Sequence, residues 1–211
     1  MKQLKGRIMK TILKILLLAM VLIWGCDTTS DITINTPEER NDNTPEPLFL
    51  NVNCELIPLP NKSPLWEDSI FSISQEIDGA VGGRILLEKY YISDIGDSIA
   101  ISSDLYITAG AFEGLKTISM TVDDNYAIIH FSPEMVFADT LRLFQHFEGL
   151  ELDQYPTGTI DFCFVGENGK IEIIKKNGLQ IIVPQGIVRV QNAKLLHFSR
   201  YGWIRKTVAE G

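Results

Sequence analysis

Short apolar or alternating runs recur from Pro47 to the C-terminus, and each is closed by glycine, asparagine, aspartate or proline. No window of about ten residues there has the i, i+3, i+4, i+7 spacing of an amphipathic helix. Many short strands separated by turn residues are typical of an antiparallel sandwich or barrel. The sequence therefore predicts an all-β domain, an antiparallel β-sandwich, over residues 48–211. The predicted strands are Leu48–Leu56, Ser69–Ile77, Arg84–Ile92, Ser98–Ile107, Lys116–Val122, Tyr126–Phe131, Thr140–Phe147, Thr159–Val165, Lys170–Lys175, Leu179–Val183, Ile187–Val190 and Lys194–Phe198.

Two Asn-Gly pairs, Asn168-Gly169 and Asn177-Gly178, lie between β-rich runs. Asn-Gly is a strong hairpin signal because both residues tolerate a positive φ. These pairs predict a three-stranded meander over Thr159–Val183. The dense apolar and aromatic run His197–Trp203 predicts a closing strand that the domain needs in order to fold.

The N-terminal segment combines basic residues with a short apolar run. Lys10 and Lys14 precede an uncharged run of ten residues, Ile15–Trp24. As a helix this run would span about half of the ~30 Å hydrocarbon core of a bilayer, so it is too short to cross a membrane. A basic start followed by a short apolar run is the layout of a secretory signal peptide.

Residues Ile23–Cys26 resemble the lipobox of bacterial lipoproteins, in which an aliphatic and a small residue precede a cysteine. The resemblance implies that residues 1–25 are a signal peptide cut after Gly25 and that Cys26 carries acyl chains. Translation from Met1 or from Met9 leaves this signal intact. Asp27 resembles the inner-membrane retention signal of enteric bacteria, a rule that differs between lineages, so the inner and the outer membrane both stay open.

The composition of residues 26–47 predicts the lipidated cysteine, Cys26, followed by a flexible linker. Polar residues and three prolines dominate this stretch, and few of its side chains could bury enough apolar surface to offset the entropy of folding. As a random coil it would reach on the order of 25 Å. The linker would separate the folded domain from the bilayer.

Charge limits the partners of the exported part of the chain. Five of the 19 basic residues and none of the 27 acidic residues precede Cys26, which leaves 14 basic and 27 acidic residues and a formal charge of −13. A domain with this charge is repelled by phosphate backbones, which argues against nucleic acid as a partner. It is also repelled by anionic lipid, so acyl chains on Cys26 would provide the attachment to the bilayer.

Three segments of the domain follow one another in an order that is found in a known family. Gly82-Gly83 stands before a predicted strand, and the other two segments are Leu105–Phe112 and Phe131–Phe137, the latter with the pattern Pro-x-x-x-Phe. This order resembles the β-sandwich domain of zona-occludens proteins, netrin receptors and ankyrins. The resemblance covers about a third of the chain. It implies a protein-interaction or structural module without catalysis.

Histidines and carboxylates predict no catalytic or metal centre. The chain has three histidines, His130, His146 and His197, and no two of them have local metal-ligand spacing. The aspartates of two turns, near residues 94–97 and 123–124, lack the stepped oxygen ligands of a calcium loop. The sequence contains neither a Gly-x-Ser-x-Gly elbow nor a phosphate-binding or dinucleotide fingerprint. We therefore expect no cofactor, no metal and no enzymatic activity.

Two further features leave alternatives open. Cys54 and Cys163 either form a disulfide, which export would permit, or remain two buried thiols. The aromatic residues of the domain could stack on sugar rings or on a peptide, or could pack in the core. These aromatic residues are Trp66, Tyr90, Tyr91, Tyr201 and Trp203.

Taken together, the sequence predicts an extracytoplasmic lipoprotein that is anchored through Cys26 and has a non-catalytic binding or structural role at the cell envelope. The expected partners are the bilayer and an envelope protein or glycan. Two alternatives are a hydrolase that acts on envelope polymers or polysaccharides, and an adhesin that depends on carbohydrate or calcium. A pocket with convergent carboxylates would favour the hydrolase, and a flat aromatic surface would favour a binding protein.

Overall fold

The computed structural model describes residues 32–34, 54–64, 71–166 and 170–207. By its internal contacts the chain divides into two units, Met1–Ser30 and Asp31–Gly211, and every described residue belongs to the second unit. Within the described residues, no helix is both long enough and apolar enough to cross a membrane.

These residues form two antiparallel sheets that pack against each other, and the predicted β-sandwich is therefore confirmed. The strands are β1 (Ile32–Ile34), β2 (Cys54–Leu56), β3 (Ser72–Asp78), β4 (Gly83–Ile92), β5 (Ser98–Ile107), β6 (Leu115–Val122), β7 (Ile128–Ser132), β8 (Val136–Glu148), β9 (Ile160–Val165), β10 (Ile171–Ile173), β11 (Gly178–Ile182), β12 (Ile187–His197) and β13 (Arg200–Lys206). Short 3₁₀ turns, Thr157–Thr159 and Val183–Gln185, lie before β9 and before β12.

The six-stranded sheet has the order β1-β11-β12-β8-β5-β4, and the seven-stranded sheet has the order β10-β9-β13-β7-β6-β3 with β2 added beside β13. One side of β13 pairs with β9 along Tyr201–Arg205. On its other side β13 pairs with β7 at Arg200–Gly202 and with β2 at Ile204–Lys206. β13 overlaps the predicted closing strand His197–Trp203 only from Arg200 onward, because His197 ends β12, and β13 is an interior strand of its sheet.

Alternation along the strands decides which side chains fill the space between the sheets. In β5 the side chains of Ile99, Ile101 and Leu105 are buried, because successive residues of a strand point to opposite faces. From the opposite sheet, β13 contributes Tyr201 and Trp203, which are fully buried. The indole of Trp203 packs edge-on against Phe162 at 5.3 Å between ring centres.

The predicted meander over Thr159–Val183 is wrong beyond its second strand. β9 and β10 do form an antiparallel pair, in which Cys163 opposes Ile173. β11 instead pairs with β12 and β1 in the six-stranded sheet, so residues 174–177 carry the chain from one sheet to the other. No hairpin turn forms at Asn177-Gly178: Gly178 begins β11, and the Asn177 N–H donates to the Gln191 carbonyl beside the β11–β12 pair. Asn168-Gly169 lies outside the described residues.

Two other elements differ from the prediction. The runs predicted as Ile187–Val190 and Lys194–Phe198 form the single strand β12, which continues through a bulge where Asn192 has a φ of +51°. Asparagine tolerates this left-handed conformation better than most residues do. In addition, β1 pairs with β11, so Ile32–Ile34 form a strand within the stretch predicted as a flexible linker. The rest of that linker lies outside the described residues.

Candidate functional site

Exposed apolar side chains are concentrated on the side of the six-stranded sheet that points away from the core, which we call the outer face. Of the eleven large apolar side chains that the described residues expose, seven lie on β4, β5, β8 and β12, each next to a buried position. They are Leu86, Tyr90, Ile92, Tyr106, Val136, Phe144 and Leu196. Leu86, Tyr106 and Phe144 lie near one another on three neighbouring strands, whereas Glu88, Ser102 and His146 separate Tyr90 and Ile92 from them. Clustered exposed apolar side chains mark interaction sites more often than scattered ones do.

The centre of this surface is an ordered group of aromatic and charged side chains. Arg84 donates two hydrogen bonds to the carboxylate of Asp104, at 2.7 and 2.8 Å. The same guanidinium lies over the ring of Tyr106, 5.1 Å from its centre. Tyr106 in turn meets Phe144 edge-to-face at 5.8 Å. Each side chain restricts its neighbour, so the surface offers a partner a fixed shape.

The aromatic residues that were candidates for a stacking surface do not lie together: some are in the core and one is on the outer face. Tyr91, Tyr201 and Trp203 lie in the core, whereas Tyr90 is 66% exposed on the outer face. Trp66 lies outside the described residues. Tyr106 and Phe144 were not among the predicted candidates. The signal that could have found them is alternation, since each stands between two residues that are buried in the core.

His146 lies in a polar row that crosses the outer face. The row runs from Glu88 through Ser102 to His146 and then to Arg189 on β12, each residue directly opposite the next. Burial of the imidazole lowers the pKa of His146 below its ordinary value of 6.5, and the nearby Arg189 guanidinium lowers it further. The Glu148 carboxylate, 3.6 Å from Nε2, offsets only part of these effects.

This lowered pKa predicts that the folded domain loses stability as the pH falls below about 6.5. The unfolded chain binds a proton at His146 more readily than the folded chain, so acid favours unfolding until the folded state is protonated as well. In urea-unfolding titrations between pH 7.5 and 5, His146→Gln should show a smaller loss of stability than the wild type. Equal pH slopes for the two proteins would contradict this expectation.

The three histidines do not converge on one point. His130 donates its Nε2–H to the Asp123 carboxylate at 3.0 Å, and His197 packs edge-on against Phe164. Asp123 also accepts the backbone N–H groups of residues 125 and 126. Burial alone would raise the pKa of Asp123, but these hydrogen bonds outweigh it and lower the pKa. Within residues 32–34, 54–64, 71–166 and 170–207, no group of three His, Cys, Asp or Glu side chains could hold a metal ion.

Cys54 and Cys163 are both free thiols, on opposite sides of β13. Cys54 opposes Lys206 and Cys163 opposes Gly202, so two inter-strand steps of about 4.8 Å and four residues of roughly 3.4 Å each separate their backbones. A disulfide requires Cα atoms within about 7 Å. Burial raises the pKa of the Cys163 thiol, which donates to the Gly202 carbonyl instead.

A buried ion cluster of Asp161, Lys176 and Lys206 lies beside residues 174–177, which connect β10 to β11. The ammonium of Lys176, whose side chain is 3% exposed, contacts the Asp161 carboxylate at 2.8 Å and the carbonyls of Phe162 and Ile174 at 3.3 and 3.4 Å. Lys206 binds the second oxygen of Asp161 at 2.6 Å. Burial alone would raise the pKa of Asp161, but the two ammonium groups outweigh it and lower the pKa.

A cavity of about 190 Å³ opens beside this ion cluster, lined also by Gly158, Ile173 and Leu179. Lys176 directs its hydrogen bonds at the protein rather than into this space. The arrangement neutralises a buried carboxylate and supplies donors to carbonyls at the point where the chain changes sheets. These contacts assign the cluster a structural role.

No family model matches the chain, and no curated protein and no solved structure is significantly similar to it. The resemblances to lipoproteins and to the zona-occludens, netrin-receptor and ankyrin domain therefore stay predictions. Cys26, the predicted lipidation site, lies outside the described residues.

Proposed function

We propose that the chain is a membrane-anchored extracytoplasmic lipoprotein with a non-catalytic binding role at the cell envelope, and that the outer face is its binding surface. The concentration of exposed large apolar side chains on one face of the sandwich carries the binding part of this proposal. Tyrosine, phenylalanine and arginine side chains are the types that are enriched at interaction surfaces.

The location rests on the sequence. An uncharged run too short to cross a bilayer stands directly before Gly25 and Cys26, as in lipoprotein signals. Several acyl chains, each stabilised by about 0.8 kcal/mol per buried CH₂, would hold the protein on the membrane without help from its negatively charged surface.

The anchor is tested by expressing the full chain in bacteria that are fed radiolabelled palmitate. We expect the wild type to incorporate the label and to sediment with membranes. Cys26→Ser should lose the label, and Cys54→Ser is the matched control that should keep it. An unlabelled wild type, or equal labelling of Cys26→Ser, would overturn the proposed anchor.

A further inference from the structure

A line of basic side chains crosses the outer face at right angles to the strands. The register places Arg84 opposite Tyr106, Tyr106 opposite Arg142, and Arg142 opposite Lys194. The Lys194 N–H donates to the carbonyl of Lys175, which is the next neighbour in the same direction. All five residues are exposed, and we call them the basic row.

The charges of the basic row are compensated only at one end. Arg84 is paired with Asp104. For Arg142, Lys194 and Lys175, the described part of the chain offers no ion pair. Like charges directly opposite each other on neighbouring strands destabilise a sheet. The three adjacent cations of the row therefore repel one another, and an anion that binds there would relieve this repulsion.

We infer that the basic row binds a linear polysaccharide whose sugars carry carboxylate groups. This inference rests on the binding role proposed above and names its ligand class. Guanidinium groups bind planar carboxylates through two parallel hydrogen bonds, and Arg142 has no such partner among the described residues. Tyr106 lies directly beside Arg142 in the row and contacts Phe144, so an apolar surface for a sugar ring adjoins the cations.

The shape of the row favours a linear polymer over a membrane surface. Neighbouring strands are about 4.8 Å apart, so the row presents one side chain at intervals of roughly one sugar residue. An anionic bilayer would face a wide area of a protein whose charge after Cys26 is −13, and the acidic surroundings would repel it. A narrow chain contacts the row alone.

The position of the row also disfavours an extended peptide. Peptides that add to sheets need a free strand edge. The row crosses β5 and β8, which are paired with neighbours on both sides. Recognition must therefore come from side chains, which suits a polymer with charged groups and apolar ring faces.

The test measures binding of polygalacturonate to the full chain, purified in a neutral detergent, by calorimetry at low and moderate salt. We expect binding that weakens with salt, since exposed charges are screened. The double variant Arg142→Gln/Lys194→Gln should lower the affinity at least about tenfold, because both charge-assisted contacts are lost. Tyr106→Ala should lower it as well, without changing the salt dependence.

The matched control is Lys89→Gln/Lys116→Gln, which removes the same charge from exposed positions outside the row and should bind like the wild type. Absence of polygalacturonate binding, or equal losses in the two double variants, would overturn the inference. So would polyglutamate, a single-stranded oligonucleotide or anionic vesicles that bind equally well through the same residues. Cys26→Ser should bind polygalacturonate unchanged, so failure of the anchor and failure of the binding site are distinguishable.

Discussion

Replacing Trp203 by phenylalanine should lower the free energy of unfolding by about 2–4 kcal/mol. Trp203 is fully buried on β13, and its indole N–H donates to the side-chain oxygen of Gln145 at 2.9 Å. Gln145 is buried on β8 of the opposite sheet, so this hydrogen bond joins the two layers through the core. Phenylalanine removes buried ring volume and leaves the amide oxygen without its donor. Urea unfolding of the full chain measures the loss.

A double-mutant cycle separates the hydrogen bond from the packing. Gln145→Leu alone leaves the indole N–H buried without an acceptor, which costs about 1–3 kcal/mol. In Trp203→Phe/Gln145→Leu neither polar group remains, so the double variant should lose at least about 1 kcal/mol less than the two single losses combined. Tyr106→Phe on the outer face is a control that should stay within about 0.5 kcal/mol of the wild type. Strictly additive losses would show that the bond contributes no coupling.

The local part of this fold follows from the sequence, and the pairing of distant strands does not. Alternation identifies β4 and β5 because each residue's orientation depends only on its neighbours in the chain. Whether β10 and β11 share a sheet depends on the pairing of β11 with β12 and of β12 with β8, which lies far away in the sequence. The hairpin signal at Asn177-Gly178 is local, and it is overridden where the chain crosses to the other sheet and Gly178 begins β11. The bulge that unites β12 is likewise fixed by its pairing with β8.

The same distinction applies to the candidate site. That Tyr106 and Phe144 are exposed follows from alternation within β5 and β8. Their contact, and the line from Tyr106 to Lys194, require the registers of β5 with β8 and of β8 with β12, which are separated by long stretches of chain. Alternation could not predict that Lys176 is buried either, because the residue belongs to the crossing between the sheets rather than to a regular strand.

Replacing Asp161 by asparagine should have the other large effect, a loss of about 3–5 kcal/mol, because it removes the carboxylate that contacts the buried ammonium of Lys176 at 2.8 Å and also binds Lys206. The loss should also depend on pH. The folded state holds the pKa of Asp161 below its ordinary 3.8, so the cluster stabilises the wild type above pH 3.8 and loses this contribution as the pH falls through the folded-state value. Asp161→Asn should abolish that part of the acid dependence.

Lys176→Met tests whether the charge of Lys176 or its carbonyl contacts matter more for stability. It removes the cation and its hydrogen bonds to the Phe162 and Ile174 carbonyls but keeps much of the apolar side chain. We expect Asp161→Asn/Lys176→Met to be more stable than Asp161→Asn alone, because removing a buried cation that has lost the Asp161 carboxylate matters more than losing two carbonyl contacts. Asp124→Asn, at a carboxylate that is 58% exposed, is the control and should cost less than about 1 kcal/mol. A double variant that is less stable than Asp161→Asn would mean that Lys176 stabilises the crossing mainly through the carbonyls, with Asp161 secondary.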